Sequence, residues 1–428
     1  MANDKERIIV GLDIGTSVIR VVIGELNEST DKLEVIGTAS IESGGINKGS
    51  IVNIEKAKDA IKEAIETAEY NASVTVDSVV LGIGGSQVEG KNSRAVVPVR
   101  SNGRTNREIT EEDVNKVIEN ATEILSSEYR EKLHVIPQDY IVDGVSGVKE
   151  PVHMMGTKLE VEVHIITEAK TVLQNIRSCI GRAGYFLDGV MLNTLAQTQS
   201  VCHQDEMDLG SILIDLGAGT TDALVLIKGA PISTTSVQVG GNLVTNDISI
   251  VLGIPVAAAE KIKVEYGCCW PQLLNANNDK EVILPGVGGR DPVVIMQSKI
   301  CEIIQARVAQ IFTMIKAAIV KDTKDTITQL SGNIILTGGG AQLEGVVELA
   351  QAIFKTSSVR VGVPESLGGI EEEYRKPEFA TAVGLIVANQ RILKDRGRSR
   401  KAKKTSSSQL KSKSRDEGVL KRLFKSLF

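Results

Sequence analysis

Two short segments, about two hundred residues apart, each join an apolar strand to a carboxylate and a turn of small residues. The first is Ile8–Ser17 (IIVGLDIGTS) and the second is Ile212–Asp222 (ILIDLGAGTTD). A second apolar run follows each turn, so both segments predict a β-hairpin whose glycines leave backbone N–H groups open to a ligand. Two such turns facing each other would clasp a polyphosphate, with Asp13 and Asp215 placed to hold its hydrated Mg²⁺.

A third glycine turn, Gly338–Gly340, follows the predicted short strand Asn333–Thr337. Its bare backbone would let a base and a ribose lie against it. Each hairpin taken singly is equally compatible with an ordinary tight turn, and the third turn with a closely packed entry to a helix. The combination favours a two-lobed nucleotide-binding protein.

The apolar periodicity divides the chain into two lobes and an insertion. Alternating patterns predict strands near residues 7–14, 18–25, 33–40 and 76–83, with an amphipathic helix over Ile54–Ala68. We expect a first lobe, an inserted α+β subdomain and a second lobe that includes a smaller subdomain. Their predicted ranges are 1–83 with 163–198 and a closing helix at 376–393, then 84–162, and then 199–375 with the smaller subdomain at about 245–330.

Composition excludes several classes of protein. The 428 residues are 42% apolar and 3% aromatic, which is enough for several aliphatic cores. The five cysteines and four histidines show no metal-ligand spacing, so a zinc site is not expected. The odd cysteine count and the lack of a signal peptide predict a reducing, cytoplasmic setting. No apolar run is judged long enough to span a bilayer.

The order of two phosphate hairpins and an adenosine-type glycine turn resembles the superfamily of actin, heat-shock chaperones and sugar kinases. Within it the chain resembles the FtsA family of bacterial cell-division proteins over nearly its whole length. This resemblance implies an α/β, two-lobed actin-like ATPase fold with ribonuclease-H-like lobes and the insertion typical of that family. The segments that carry it are Gly11–Ser17, Asp215–Asp222, Gly240–Asn242, Ala259–Lys263 and Leu336–Ala341.

The resemblance implies ATP and Mg²⁺ as ligands and assigns them residues. Asp13 and Asp215 would orient Mg²⁺ through water. Glu260 and Lys263, three apart on one helix face, would contact ribose or adenine, although an exposed ion pair between them is the alternative. The remaining nucleotide-binding residues implied are Gly15, Thr16, Ser17, Gly217, Gly219, Thr220, Thr221, Gly241, Asn242, Gly338, Gly339 and Gly340.

One position departs from the superfamily pattern. Many relatives carry an acidic residue followed by proline before the second hairpin, where this chain has Asn193-Thr194. An amide cannot act as a general base, so we expect at most slow ATP hydrolysis and assign no catalytic residue. Gln138 or Gln197 could orient a water, and the sequence does not choose between them.

The C-terminal tail differs in charge from the rest of the chain. From Gln390 onward there are 14 Lys and Arg against 3 Asp and Glu, about +11, which leaves about −16 for residues 1–389. Residues 395–416 are predicted to be a disordered basic linker. Residues 417–428 predict an amphipathic helix, about 18 Å long, that lies in a membrane interface. Its apolar half would bind the membrane through Val419, Leu420, Leu423, Phe424, Leu427 and Phe428.

Two other uses of the tail are possible. The helix could dock on the protein's own body, although some twenty linker residues favour a tether. The basic residues could bind nucleic acid, but they lack interleaved aromatic residues and any folded reader motif, so no nucleic-acid partner is expected.

The resemblance implies a cytoskeletal adaptor rather than a metabolic enzyme. Such a protein binds ATP, self-associates, and anchors the ring of tubulin-like FtsZ to the cytoplasmic face of the membrane at the division septum. FtsZ would be contacted by the region around residues 245–330, and later division proteins would follow. The alternatives are a small-molecule kinase of the same superfamily, or a pilus-associated actin-like assembly protein that is not expected to carry this tail.

Overall fold

A computed structural model describes residues 8–27, 30, 32–100, 106–123, 127–274, 278–286, 288–289, 291–323 and 333–405, with side chains to residue 394. Within these residues, two five-stranded mixed sheets form the centres of two lobes, and a separate four-stranded sheet belongs to the insertion. The insertion and the second lobe each have a cluster of buried apolar side chains. The cluster of the first lobe continues into both, for example through Ile136 and Leu213.

The first lobe begins with the antiparallel strands predicted from the alternating pattern. A helix follows and buries one face on them, including Ala57, Ile61 and Ala64. The side chain of Asn53 caps this helix by accepting a hydrogen bond from the Lys56 N–H at 3.1 Å. The elements are β1 (Ile8–Ile14), β2 (Val18–Asn27), β3 (Lys32–Glu42), β4 (Ile46–Asn47), β5 (Ser50–Ile51), α1 (Ile54–Ala72) and β6 (Ser78–Ile83).

The insertion folds as a sheet covered by one helix. The helix begins at Glu111, directly after Thr110, and the first long strand runs over Glu89–Pro98. Strand order is β10-β9-β12-β7, antiparallel throughout. The elements are β7 (Glu89–Pro98), β8 (Arg107–Glu108), α2 (Glu111–Glu123), β9 (Arg130–Val142), β10 (Val145–Val148), β11 (Met155–Gly156) and β12 (Lys158–Ala169).

Four elements return the chain to the first lobe. Strand β13 pairs with β6 in parallel and completes the order β13-β6-β1-β2-β3. This strand and the helix after it were not predicted, because Asp188-Gly189 interrupts the alternation of apolar residues. The elements are α3 (Lys170–Ala183), β13 (Phe186–Leu192), α4 (Asn193–Val201) and α5 (Gln204–Leu209).

The second lobe repeats the layout of the first. Its sheet order, β16-β15-β14-β19-β20, again places three antiparallel strands beside two parallel ones. The elements are β14 (Ser211–Leu216), β15 (Thr221–Ile227), β16 (Ala230–Val237), α6 (Gly241–Leu252), α7 (Val256–Tyr266), β17 (Glu281–Leu284), β18 (Val293–Met296), α8 (Gln297–Thr323), β19 (Ile334–Thr337), α9 (Val346–Phe354) and β20 (Val359–Val361). The short helix α10 (Glu371–Tyr374) packs instead on β3 of the first lobe, where Tyr374 is buried.

Helix α8 corrects the expectation that no segment is long and apolar enough to span a bilayer. Among the described residues it meets that test by length and composition, and the bent pair α6–α7 does so only if counted as one span. One face of α8, including Ile304, Val308 and Phe312, is fully or almost fully buried in the core of the second lobe. We attribute its apolar character to this packing.

The closing helix, α11 (Ala380–Thr405), packs on β1 and α4 of the first lobe. It extends beyond the predicted end near residue 393, so residues 395–405 are helical and not part of a disordered linker. Three arginines and three lysines there favour a helix, and no proline interrupts it. The rest of the predicted linker, 406–416, and the predicted membrane helix, 417–428, lie outside the described residues.

Candidate nucleotide site

The two hairpin turns meet between the lobes, as the duplicated motif predicts. A Cβ atom on Gly219 of the second turn would lie 2.6 Å from the Thr16 Oγ1 of the first. Ser17 also donates a hydrogen bond to the Asn242 Oδ1 at 3.2 Å. Only glycine at position 219 allows this approach, because any side chain would collide with Thr16.

Each turn is fixed by its own lobe. In the first, Ser43 donates from Oγ to the Gly15 carbonyl at 2.6 Å and from its backbone N–H to the Ser17 carbonyl at 2.8 Å. In the second, the N–H groups of Gly241 and Asn242 donate to the Gly217 and Ala218 carbonyls, both at 2.9 Å. The start of α6 therefore holds the second turn in place.

The third turn lies directly beside the second hairpin. Strand β19 pairs with β14 so that Thr337 is opposite Asp215. Gly338 has a φ of +80°, and a Cβ there would lie 2.1 Å from the Asp215 Oδ1, so the position requires glycine. A Cβ on Gly339 would meet nothing within 4 Å. This turn therefore presents open backbone next to a carboxylate.

Three carboxylates lie in this cleft, one more than the sequence motifs assigned. Burial raises the pKa of Asp13 to about 7; Arg20 opposes the rise and the charge of Asp215 adds to it. Burial raises the pKa of Asp222 to about 7 as well, again with a contribution from Asp215. Asp215 itself has a raised pKa, also because of burial. Repulsion between these carboxylates favours the binding of a cation in the cleft.

The carboxylates fit Mg²⁺ by their chemistry, since carboxylate oxygens are the ligands it prefers. Among the described residues, however, no group of three or more Asp, Glu, His or Cys side chains is arranged to hold a metal alone. A magnesium ion usually takes one or two carboxylates and completes its shell with water and phosphate oxygens. Asp13 and Asp215 therefore suit a metal that arrives with a nucleotide.

The structure distinguishes the two candidate glutamines. Gln197 is 1% exposed and donates from Nε2 to the Asp215 Oδ2 at 2.6 Å and to the Thr381 Oγ1 at 2.9 Å. Gln138 instead donates to the Pro231 carbonyl, at the contact between the insertion and β16. Only Gln197 contacts a carboxylate of the cleft.

Asn193 begins α4 at the edge of the same cleft. A Cβ on Gly82 would lie 2.4 Å from its Oδ1, and one on Gly84 would lie 2.8 Å from its Nδ2. The amide is thus packed tightly against two backbone positions of the first lobe. It contributes an amide there and no carboxylate.

Glu260 and Lys263 form the ion pair that the sequence left as an alternative. Their side chains are 2.7 Å apart, and Lys263 is only 13% exposed. Lys263 also donates to the Thr245 Oγ1 at 2.9 Å and, at 3.4 Å, to the Gly241 carbonyl. The pair therefore adjoins the start of α6, and any contact with a nucleotide stays a prediction.

The sequence motifs did not identify two residues of the cleft as functional candidates. Arg20 is directly opposite Asp13 in the first hairpin, and Asp222 is directly opposite Asp215 in the second. Counting residues outward from each predicted turn would have found both, because opposite residues of an antiparallel pair share a face of the sheet.

Comparison with known proteins identifies the family. Residues 212–384 match the family model described as Cell division protein FtsA, and residues 85–167 match the SHS2 domain inserted in FTSA. The chain is 42% identical over 380 residues to Cell division protein FtsA of Borreliella burgdorferi, covering 89% of this chain and 90% of the relative. It is 33% identical over 385 residues to the protein of the same name from Escherichia coli K12, with the same coverage.

Solved structures agree with the fold. One similar chain is from the PilM-PilN type IV pilus biogenesis complex, with a TM-score of 0.61, 16% identity, and coverage of 89% of this chain and 97% of that one. Another is MreB 5 of Spiroplasma citri bound to AMPPNP, with a TM-score of 0.53, 14% identity, and coverage of 92% and 99%. These likenesses support the predicted two-lobed actin-like ATPase fold, and the sequence relatives show that the chain belongs to the FtsA family of actin-like cell-division proteins.

Proposed function

We propose that this protein binds ATP with Mg²⁺ between its two lobes and works as a nucleotide-controlled adaptor in cell division. The observation that carries the proposal is the meeting of two glycine turns, with Gly219 against Thr16, over the buried Asp13 and the half-buried Asp215 and Asp222. An AMPPNP-bound structure among those of similar fold supports the same conclusion.

The phosphates would lie between the two turns. Backbone N–H groups around Gly15 and Gly217–Thr220 would donate to phosphate oxygens, and the hydroxyls of Thr16 and Ser17 would add donors from the first lobe. Asp13 and Asp215 would hold Mg²⁺, which neutralises charge on the phosphates. The base and ribose would lie against Gly338–Gly340, where Gly339 has open space around it.

Hydrolysis should be slow. Asn193 offers an amide where a carboxylate could serve as a base, and an amide does not accept a proton at neutral pH. Gln197 can orient a group beside Asp215 but is no base either. Slow ATP hydrolysis suits a protein in which the bound nucleotide controls assembly. It does not suit an enzyme that turns over a substrate.

The adaptor role extends to two further partners. We propose that the region around residues 245–330 contacts FtsZ, as the family resemblance implies. The β17–β18 hairpin supports a docking role there, because Ile283 and Val294 lie opposite each other and are 69% and 54% exposed. Self-association and recruitment of later division proteins would involve other faces.

The C-terminal segment would tether the protein to the cytoplasmic face of the membrane at the septum. The alternation of apolar and basic residues over 417–428 supports this. Three basic residues of the segment, Lys421, Arg422 and Lys425, would add attraction to anionic lipid.

A glycine substitution tests the nucleotide site. In Gly339→Val, a branched side chain fills the space proposed for the base, and we expect ATP affinity to fall at least about tenfold, or 1.4 kcal/mol. Gly181→Val is the matched control, since that glycine also has open space but lies on α3. Calorimetry measures both, with circular dichroism as a check on folding. Unchanged ATP binding by folded Gly339→Val would overturn the assignment.

A charge substitution tests the membrane tether. Phe424→Asp puts a charge on the apolar half of the predicted helix, where lipid burial costs about 2.5–3.5 kcal/mol. Flotation with anionic liposomes should drop by about two decades, while ATP binding stays unchanged. Ser426→Asp adds the same charge on the polar half of the helix and should reduce flotation much less. Equal flotation of wild type and Phe424→Asp contradicts the tether.

A further inference from the structure

A small cavity lies at the seam between the lobes, on the side of the cleft that faces the insertion. Its volume is about 10 Å³, room for one water-sized occupant. Both lobes line it, the first through Gly84, Gly85 and the start of α4, and the second through Asp222 and part of β16. Asp13 and Asp215 are not among its lining residues, so it is distinct from the proposed Mg²⁺ position.

The cavity collects polar atoms that lack partners. The Asn193 Oδ1, the Thr194 Oγ1 and the Thr235 Oγ1 are buried and have no hydrogen-bond partner within the described part of the chain. Thr194 is only 1% exposed. Unpaired buried oxygens are costly, and three of them around one cavity indicate an occupant.

The chemistry of the lining favours a cation. Its polar side chains present mostly oxygen: one carboxylate, one amide carbonyl and several hydroxyls, from Asn193, Thr194, Asp222, Thr234, Thr235 and Ser236. The one nitrogen among them is the amide Nδ2 of Asn193, which lies next to Gly84. Asp222 forms no ion pair with any described residue, and the charged neighbour that acts on it is another carboxylate, Asp215. A bound cation would supply the missing counter-charge, whereas a water would not.

We infer that this cavity binds one monovalent alkali cation, Na⁺ or K⁺, between the lobes. The occupant is coordinated by the Asp222 carboxylate, the Asn193 carbonyl oxygen and the hydroxyls of Thr194 and Thr235. A divalent ion is disfavoured because Mg²⁺ demands near-ideal octahedral geometry and gives up its water reluctantly. Because the ligands come from both lobes, the ion stabilises their contact whether or not a nucleotide is present.

Thermal unfolding of the nucleotide-free, full-length protein tests the site. At equal ionic strength and pH, replacing choline chloride with NaCl or KCl should raise Tm by about 3 °C, since an ion that binds the folded state stabilises it. The salt with the larger shift identifies the preferred ion. This readout does not involve ATP, so its failure and a failure of the proposed nucleotide site are distinguishable.

A matched pair of variants locates the effect. Thr235→Val removes one ligand with little change of shape and should abolish the difference between salts. Ser211→Ala removes another buried, unpartnered hydroxyl, one that does not line the cavity. This variant should retain the Tm difference between salts. The same Tm in all three salts would mean a water occupant or an empty cavity, and a full shift in Thr235→Val would mean that the cation acts elsewhere in the protein. Either result would overturn the inference.

Crystals of the wild-type protein soaked in Tl⁺, a K⁺ mimic, give a check that needs no variant. An anomalous peak in the cavity beside Asp222 is expected. Ordered water there with no such peak would contradict the cation.

Discussion

The two hairpins that form the cleft share a backbone plan but differ in the residue opposite the key aspartate. Asp13 is opposite Arg20 in the first hairpin, whereas Asp215 is opposite Asp222 in the second. The first lobe therefore presents a carboxylate balanced by a guanidinium, and the second presents two carboxylates side by side.

This difference gives the two hairpins different affinities for a cation. Two neighbouring carboxylates repel each other, so a bound cation stabilises them most. The second hairpin, through Asp215, is therefore the stronger candidate for binding Mg²⁺. Gln197 supports Asp215 by a hydrogen bond, which favours its charged form. The two hairpins thus share the form of the turn and differ at the position opposite the aspartate.

The largest effect should come from the second hairpin. Asp215→Asn removes a carboxylate without changing its shape, and we expect MgATP affinity to fall at least about tenfold, or 1.4 kcal/mol. Calorimetry with and without Mg²⁺ measures this, and the loss should be greater when the metal is present. Asp205→Asn, an exposed position on α5, is the control. An equal loss in both conditions would mean that Asp215 does not act through the metal.

Acid should weaken MgATP binding in the wild-type protein. The pKa of Asp13, a proposed Mg²⁺ ligand, is raised to about 7, so its carboxyl gains a proton as the pH falls below neutrality, and a protonated carboxyl does not ligate Mg²⁺. As the pH rises toward about 7, the affinity for MgATP should increase about tenfold per pH unit for each proton displaced. Above about pH 7 it should level off. Calorimetry in buffers of different ionisation enthalpy counts the protons released.

The raised pKa values of Asp13 and Asp222 predict a stability effect of opposite sign. The folded protein holds protons on these carboxyls that the unfolded chain has lost above its ordinary pKa of 3.8. Without nucleotide, the stabilising contribution of these groups should therefore fall as the pH rises from about 4 to about 7. An MgATP affinity that is flat between about pH 6 and 8 would contradict the first expectation. Urea unfolding of the nucleotide-free protein tests the second, and an unchanged stabilising contribution between about pH 4 and 7 would contradict it.

A smaller effect is expected in the first hairpin. Arg20→Gln removes the positive charge that lowers the pKa of both Asp13 and Asp215. The midpoint of the pH dependence of MgATP binding should move to higher pH, with a loss of affinity of about threefold at neutral pH, since half a pKa unit is about 0.7 kcal/mol. A binding profile across pH measures it. An unmoved midpoint would show that the contrast between the hairpins has no electrostatic consequence.

The smallest effect should come from the support of the first turn. Ser43→Ala deletes the hydrogen bond to the Gly15 carbonyl, worth about 1 kcal/mol, and leaves every carboxylate in place. We expect a modest fall in stability in urea unfolding and an unchanged pH midpoint. A shifted midpoint would contradict the separation of turn geometry from charge.

Local sequence determined the parts of this protein that repeat a pattern. Strand alternation and glycine turns predicted both hairpins, the third turn and the insertion, because these depend on residues close together in the chain. Strands β13 and β16 were missed: Asp188-Gly189 interrupts one, and the other contains Pro231 and a run of serine and threonine. Both are held by pairing with strands distant in sequence, which a local pattern does not reveal.

Tertiary structure alone decided how charges and polar atoms were brought together. The sequence could not choose between Gln138 and Gln197, because the choice depends on which helix or strand faces Asp215 after the lobes close. It could not find the seam cavity either, since Asn193 and Thr235 come from different lobes. The pKa of a carboxyl depends on burial and on neighbours in space, and those exist only once the chain has folded.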